Sequence, residues 1–214
     1  MSEAPPPTGA STLEAWMTAL AAPTVSPAGG TAAAIAGALG AALVQMVAGL
    51  TGGRERYASV HREAAGVRER AAALREEMVT LAARDAEAFA GFARALRMPA
   101  GTEHERALRE RARTQALRAG AEVQLELLAR VGEGAELAQA MAERGLAGAL
   151  GDAGTAVFLA GAAARSACWA VRSNLRGTAD GEGAERSLGT ALGLLERVEA
   201  AERRVGELLE RRLA

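Results

Sequence analysis

The sequence predicts an all-α fold, a multihelical bundle of long antiparallel helices. Three observations carry that expectation. Alanine dominates: 55 Ala stand beside 25 Gly in 214 residues, and alanine is the best helix former while both residues are depleted in strands. Strand formers are scarce, with 3% aromatic residues and a single isoleucine, Ile35. Charge comes in blocks. Residues 1–53 hold two charged side chains, residues 54–130 hold 15 Arg and 12 acids, residues 131–180 hold 4 Arg and 5 acids, and residues 181–214 hold 6 Arg and 7 acids. Such blocks suggest apolar helices wrapped by charged ones.

The elements follow in order. Residues 1–10, with three consecutive prolines and no basic run, read as a disordered arm rather than a targeting signal. Residues 11–214 then form one helical domain. Ser11 and Glu14 have capping-box spacing and predict a first helix from about residue 12 to just before Pro23. A tight loop at residues 26–30 opens a second helix over 31–50, apolar all round except Gln45, ended by Gly52 and Gly53. Its length and apolarity would also suit a membrane span, but Ala and Gly contribute little to insertion, so a buried bundle helix is the better reading. Residues 54–97 predict one long helix. Its stripe runs Tyr57, Val60, Ala64, Val67, Ala71, Leu74, Met78, Leu81, Asp85, Ala88, Phe89, Phe92 and Ala95, in alternating steps of three and four. Met98 and Pro99 break it. Thr102 and Glu105 form a second capping box, opening a helix to about residue 130. A shorter helix over 135–144, a small-residue loop over 145–151, a sparse helix over 153–175, a polar link over 176–183 and a final amphipathic helix to about residue 213 complete the chain.

Composition excludes much chemistry. There is no lysine, so no Schiff-base enzyme and no Walker-type phosphate loop. One cysteine (Cys168) and two histidines (His61 and His104) cannot build a structural zinc site, and no metal is expected. The lone cysteine suits a reducing cytoplasm. A net charge of −1 offers no basic field for nucleic acid.

Scarcity makes a few residues conspicuous. Asp85 interrupts an otherwise apolar seam, where burial disfavours the charged form unless a donor or cation meets it. A carboxylate in such a place suits proton transfer near neutral pH; the alternative is an edge position paired with an arginine. Gly29, Gly30 and Thr31 put backbone N–H groups at a helix start, fit for an anion or a polar ring edge, or else form a turn capped by Thr31. Arg54 and Arg56 lie between two helices, either as an anion site or as partners of the preceding helix end. Asp152 reads as a possible N-cap, and Arg172 and Asn174 as ordinary residues at the other end of the same helix. His61 and His104 read as solvated, and Cys168 as a small core residue.

These residues also carry a resemblance. The run Ser26-Pro27-Ala28-Gly29-Gly30-Thr31-Ala32-Ala33-Ala34, then Gly37 to Leu43, Met46-Val47, Leu50-Thr51 and Gly53-Arg54-Glu55-Arg56-Tyr57, resembles the start of the formiminotetrahydrofolate cyclodeaminase / methenyltetrahydrofolate cyclohydrolase family. Asp85-Ala86-Glu87-Ala88-Phe89 with Met98-Pro99, then Asp152-Ala153-Gly154, then Val171-Arg172-Ser173-Asn174-Leu175, resemble its later motifs in order.

The resemblance implies a cyclodeaminase-like helical fold, a homodimer, a tetrahydrofolate derivative as substrate, and no separate cofactor. It implies that Asp85 is the proton-transfer residue. It places Gly29, Gly30, Thr31, Arg54, Arg56, Asp152, Arg172 and Asn174 around the substrate, with the two arginines on its glutamate carboxylates. The expected activity is closure of a formimino group with loss of ammonia, or opening of the methenyl bridge by water. The family pattern has Asn where Gly49 stands and an Asn-rich turn where residues 146–151 stand. A second expectation is therefore a non-catalytic helical dimer that binds folate or a partner protein. No nucleic acid or membrane partner is expected.

Overall fold

The computed structural model describes residue 8, residues 10–176, residue 178 and residues 181–213. Most of the expected disordered arm lies outside them. Six α-helices occur among the described residues: α1 (Leu13–Ala21), α2 (Gly29–Gly52), α3 (His61–Leu96), α4 (Glu103–Arg144), α5 (Leu150–Leu175) and α6 (Gly181–Leu213). Two short 3-10 turns, Glu55–Val60 and Ala147–Ala149, precede α3 and α5. No strand occurs among the described residues. The all-α expectation holds.

Helix α2 lies along α3 and α5, α4 spans α3, α5 and α6, and α5 is backed by α6. The core is one continuous cluster. Leu74, Met78 and Leu81 of α3, Val44 and Val47 of α2, Leu127, Leu128 and Val131 of α4, and Val157 and Val171 of α5 are all essentially fully buried. Small residues set the spacing. A Cβ on Gly40 would come within 3.0 Å of the Ala156 carbonyl oxygen, and one on Gly154 within 2.6 Å of Leu209 Cδ1. The alanine and glycine content thus serves close helix approach, with dispersion contacts made by backbone as well as side chains.

Four boundaries differ from expectation, each for a local reason. At α1 the cap is Thr12, whose hydroxyl accepts from Ala15 N at 3.1 Å, while the Ser11 hydroxyl accepts from Thr8 N. The stretch expected to begin the third helix is instead a 3-10 turn with a kink at Tyr57. The Tyr57 hydroxyl accepts from Ala147 N at 3.0 Å, which takes Tyr57 off the α3 seam. Helix α4 runs unbroken through Gly132 and Gly134, where two helices were expected. The glycines cost about 1 kcal/mol each in propensity, but Val131, Ala135, Ala138, Met141 and Ala142 keep one face buried across them. Helix α5 starts at Leu150, ahead of Asp152. The second capping box is present as expected, with reciprocal Thr102 and Glu105 bonds.

The apolar helices are not wrapped on every side. Leu39, Met46 and Leu50 of α2 and Phe158 and Trp169 of α5 are exposed, Trp169 to 66%. By length and composition alone, Gly29–Gly52 and Ala147–Leu175 would each suffice to cross a membrane, yet about half of each is buried inside the bundle.

Candidate active site

Asp85 sits in the last third of α3, half-buried, with its carboxylate against the first turn of α2. Each oxygen accepts one hydrogen bond. The Thr31 hydroxyl donates to Oδ2 at 2.8 Å, and the Gln124 side-chain amide donates to Oδ1 at 2.6 Å. Both donors are fully buried. So two donors meet the carboxylate on the seam, and neither is charged. The alternative of an arginine partner is not realised by the neighbouring Arg84, which turns to Glu126 of α4 at 2.7 Å.

Local sequence explains the approach. Ala28 and Gly29 open α2 with no side-chain cap, so the amide-rich end of the helix is bare of competing oxygens, a favourable seat for a carboxylate. Gly30 lies beneath the carboxylate. A Cβ there would stand 2.3 Å from Gln124 Nε2 and 2.6 and 2.8 Å from the two Asp85 oxygens. The Ser26 hydroxyl donates to the Ala86 carbonyl at 3.0 Å and ties the preceding loop to α3 beside Asp85. Thr31 is thus no cap; its hydroxyl is committed to Asp85.

The same end of the bundle receives the end of α5. Asn174 is half-buried, and a Cβ on Gly120 of α4 would lie 2.8 Å from its amide nitrogen. Gly120 is one turn before Gln124 on the same helix. Arg172 is exposed and stacks over the Trp169 ring at 5.3 Å, within cation–π range. Asp85, Gly30, Thr31, Asn174 and Arg172 therefore share one end.

The remaining expected site residues lie at the other end. Arg54 and Arg56 follow the last turn of α2 and are exposed; neither guanidinium makes an ion pair among the described residues. The Arg54 carbonyl is bonded by the His61 ring at 2.9 Å. Asp152 is half-buried in the first turn of α5 and caps nothing, because Ala149 holds the cap position. The Thr51 hydroxyl accepts from Leu146 N at 2.9 Å and binds the start of this region to the end of α2. From Thr31 to Thr51 is roughly 30 Å of helix. Within one copy of the chain, Asp85 and the two arginines thus stand at opposite ends of α2.

Sequence reasoning missed Gln124. Its signal is the one that exposed Asp85: a polar residue inside an apolar run, here Val123, Leu127, Leu128 and Val131. Cys168 is buried as expected, and burial pushes its thiol up. No three His, Cys, Asp or Glu side chains converge as a metal site among the described residues.

A carboxylate held in one orientation by two neutral donors can accept and return a proton. Residues 12–191 match the family described as formiminotransferase-cyclodeaminase, and the chain belongs to that family. It is 37% identical over 202 residues to a methenyltetrahydrofolate cyclohydrolase of Methylorubrum extorquens, covering 94% of this chain and 97% of that one. Its fold matches the crystal structure of a formiminotetrahydrofolate cyclodeaminase from Thermotoga maritima, with a TM-score of 0.86 and 23% identity over 96% of this chain and 98% of that one.

Proposed function

We propose that this protein is a one-carbon folate enzyme that opens the methenyl bridge between N5 and N10 of tetrahydrofolate with water. Asp85 moves the protons, and a second copy of the chain completes the site. The observation that carries this reading is the Asp85 carboxylate, fixed on both oxygens by Thr31 and Gln124 with no cation to neutralise it. A free lone pair on such a group can take a proton from water. The water oxygen bonds to the bridge carbon, its proton passes to Asp85, and the resulting tetrahedral carbon collapses. One carbon–nitrogen bond breaks as the hydroxyl proton leaves to solvent, the proton held by Asp85 passes to the departing nitrogen, and a formyl group stays on the other. The bridge carbon of an amidinium is already electrophilic, so neither metal nor cofactor is invoked. The cyclohydrolase name of the 37% identical relative supports water as the nucleophile.

The division of the site supports a homodimer. Gly30 and Thr31 meet Asp85, with Asn174 and Arg172 at the same end of the bundle, while Arg54, Arg56 and Asp152 stand at the opposite end of the same helices. A two-fold axis across the exposed stripe of Leu39, Met46 and Leu50 would run two α2 helices antiparallel and bring each Asp85 to the other copy's arginines. Arginine suits the carboxylates of a folate tail through paired N–H donors. Asp152 and Asn174 would orient the pterin or the bridge. We read the protein as cytoplasmic, without nucleic-acid or membrane partners; its near-neutral net charge and half-buried apolar helices support this.

Assaying 5,10-methenyl- and 5-formimino-tetrahydrofolate side by side tests the function. Hydrolysis of the methenyl compound should exceed ammonia release from the formimino compound by at least about tenfold in kcat/KM. The reverse preference would make the protein a cyclodeaminase. Binding without conversion of either would leave a non-catalytic folate-binding dimer and overturn the proposal.

A further inference from the structure

Gln124 is fully buried on α4 among Val123, Leu127, Leu128 and Val131. Its Nε2 reaches Asp85 Oδ1 at 2.6 Å, while its Oε1 is buried with no hydrogen-bond partner among the described residues. An amide in an apolar core that satisfies only one of its two ends is a poor stabilising device. A leucine or methionine would fill the space without an orphaned oxygen. Two chemistries, however, need both ends. While Asp85 is ionised it only accepts, and the amide N–H groups serve it. Once Asp85 holds a proton it has an O–H to donate, and the amide, turned over about its last bond, offers Oε1 to that O–H. The Thr31 hydroxyl adapts likewise by rotation.

We propose that Gln124 is the positioning residue of Asp85, holding the carboxyl group in one orientation through both halves of its proton cycle. This rests on the reading of Asp85 as the proton-transfer group. The proton arrives from the attacking water and leaves to the departing nitrogen, so neither Asp85 nor Gln124 changes over a turnover. Few other charges bear on the pair. Helix α2 has no titratable side chain. Helix α4 brings Glu126, tied to Arg84, and the exposed Glu122.

Kinetics of three variants test the proposal. Gln124→Met keeps the volume and removes both ends of the amide; kcat should fall on the order of tenfold to a hundredfold, with KM within about threefold of wild type. Gln124→Glu sets a second carboxyl against Asp85, and the two must share a proton. The acidic limb of its kcat/KM profile should move up by about one pH unit or more. If Gln124→Met does not fold, Gln124→Asn keeps an amide but withdraws it from Oδ1, and the same fall in kcat is expected. A wild-type kcat in the Met or Asn variant, or an unmoved limb in the Glu variant, overturns the proposal. Asp85→Asn, assayed alongside, separates the two levels. Full turnover in that variant would remove Asp85 itself from the chemistry and this proposal with it. An inactive Asp85→Asn beside unaffected Gln124 variants would remove only the positioning role.

Discussion

Gly30 has no side chain because Asp85 and Gln124 occupy the space one would need. A methyl group there would sit 2.3 Å from the Gln124 amide and under 3 Å from both carboxylate oxygens. Those are the far ends of two side chains, which can swing aside at modest cost. Gly30→Ala should therefore lower Tm by no more than about 4 °C, yet reduce kcat by at least about tenfold, since small misplacements of an acid–base group are costly. Thermal unfolding and steady-state kinetics on the same preparation check both parts; unchanged kcat would show that the geometry at Gly30 is irrelevant. Asp85 was legible in sequence because a charge stood on an apolar seam in a chain with three aspartates. Gln124 stands in the same kind of place, but an uncharged amide leaves no mark in a census of charge. That Thr31 and Gln124 reach Asp85 from two other helices, across 54 and 39 residues of chain, is tertiary information that periodicity does not hold.

At the scale of elements, the helices were legible and several of their ends were not. Stripe and capping box located α3 and α4, yet Gly132 and Gly134 did not break α4, because its buried face continues past them. The polar seam between α3 and α4 carries a testable consequence. Arg70 of α3 bonds Glu133 of α4 at 2.5 and 2.7 Å and Glu77 at 2.7 Å, and Arg130 pairs with Glu77 from the other side. The bonds from Arg70 hold both carboxyl groups below their ordinary 4.5. A group whose folded value is lowered stabilises the fold above its unfolded value, and that stabilisation is lost as pH falls through the folded value. Tm should thus decline below about pH 4.5. Arg70→Met should lower Tm at pH 7 and flatten the decline. The gain is modest, because these side chains are 35–38% exposed and solvent screens them. A variant with the same acid slope as wild type would show that the network does not link α3 to α4.

For the whole molecule, the block pattern of charge predicted apolar helices covered on all sides, and the structure leaves one side of α2 and α5 open. Leu39, Met46 and Leu50 of α2 and Phe158 and Trp169 of α5 are exposed. An open apolar face of this kind marks a contact surface. It runs between the two ends to which the expected site residues are divided. No pattern along the chain could reveal that division, because sequence motifs carry order and spacing but not which end of a helix meets which ligand. In the proposed dimer, that division would set Asp85 of one copy against Arg54 and Arg56 of the other.

Mixing two defective variants tests that account most directly. Asp85→Asn lacks the proposed proton-transfer group, and the double variant Arg54→Ala/Arg56→Ala lacks the proposed cationic end. Each alone should show kcat/KM at least about tenfold below wild type. Co-expressed in equal amounts, half of the dimers combine one of each and contain one intact site of two, so roughly a quarter of wild-type activity should return. Activity no greater than the average of the two parents, in a preparation shown to contain mixed dimers, would contradict a site shared between copies.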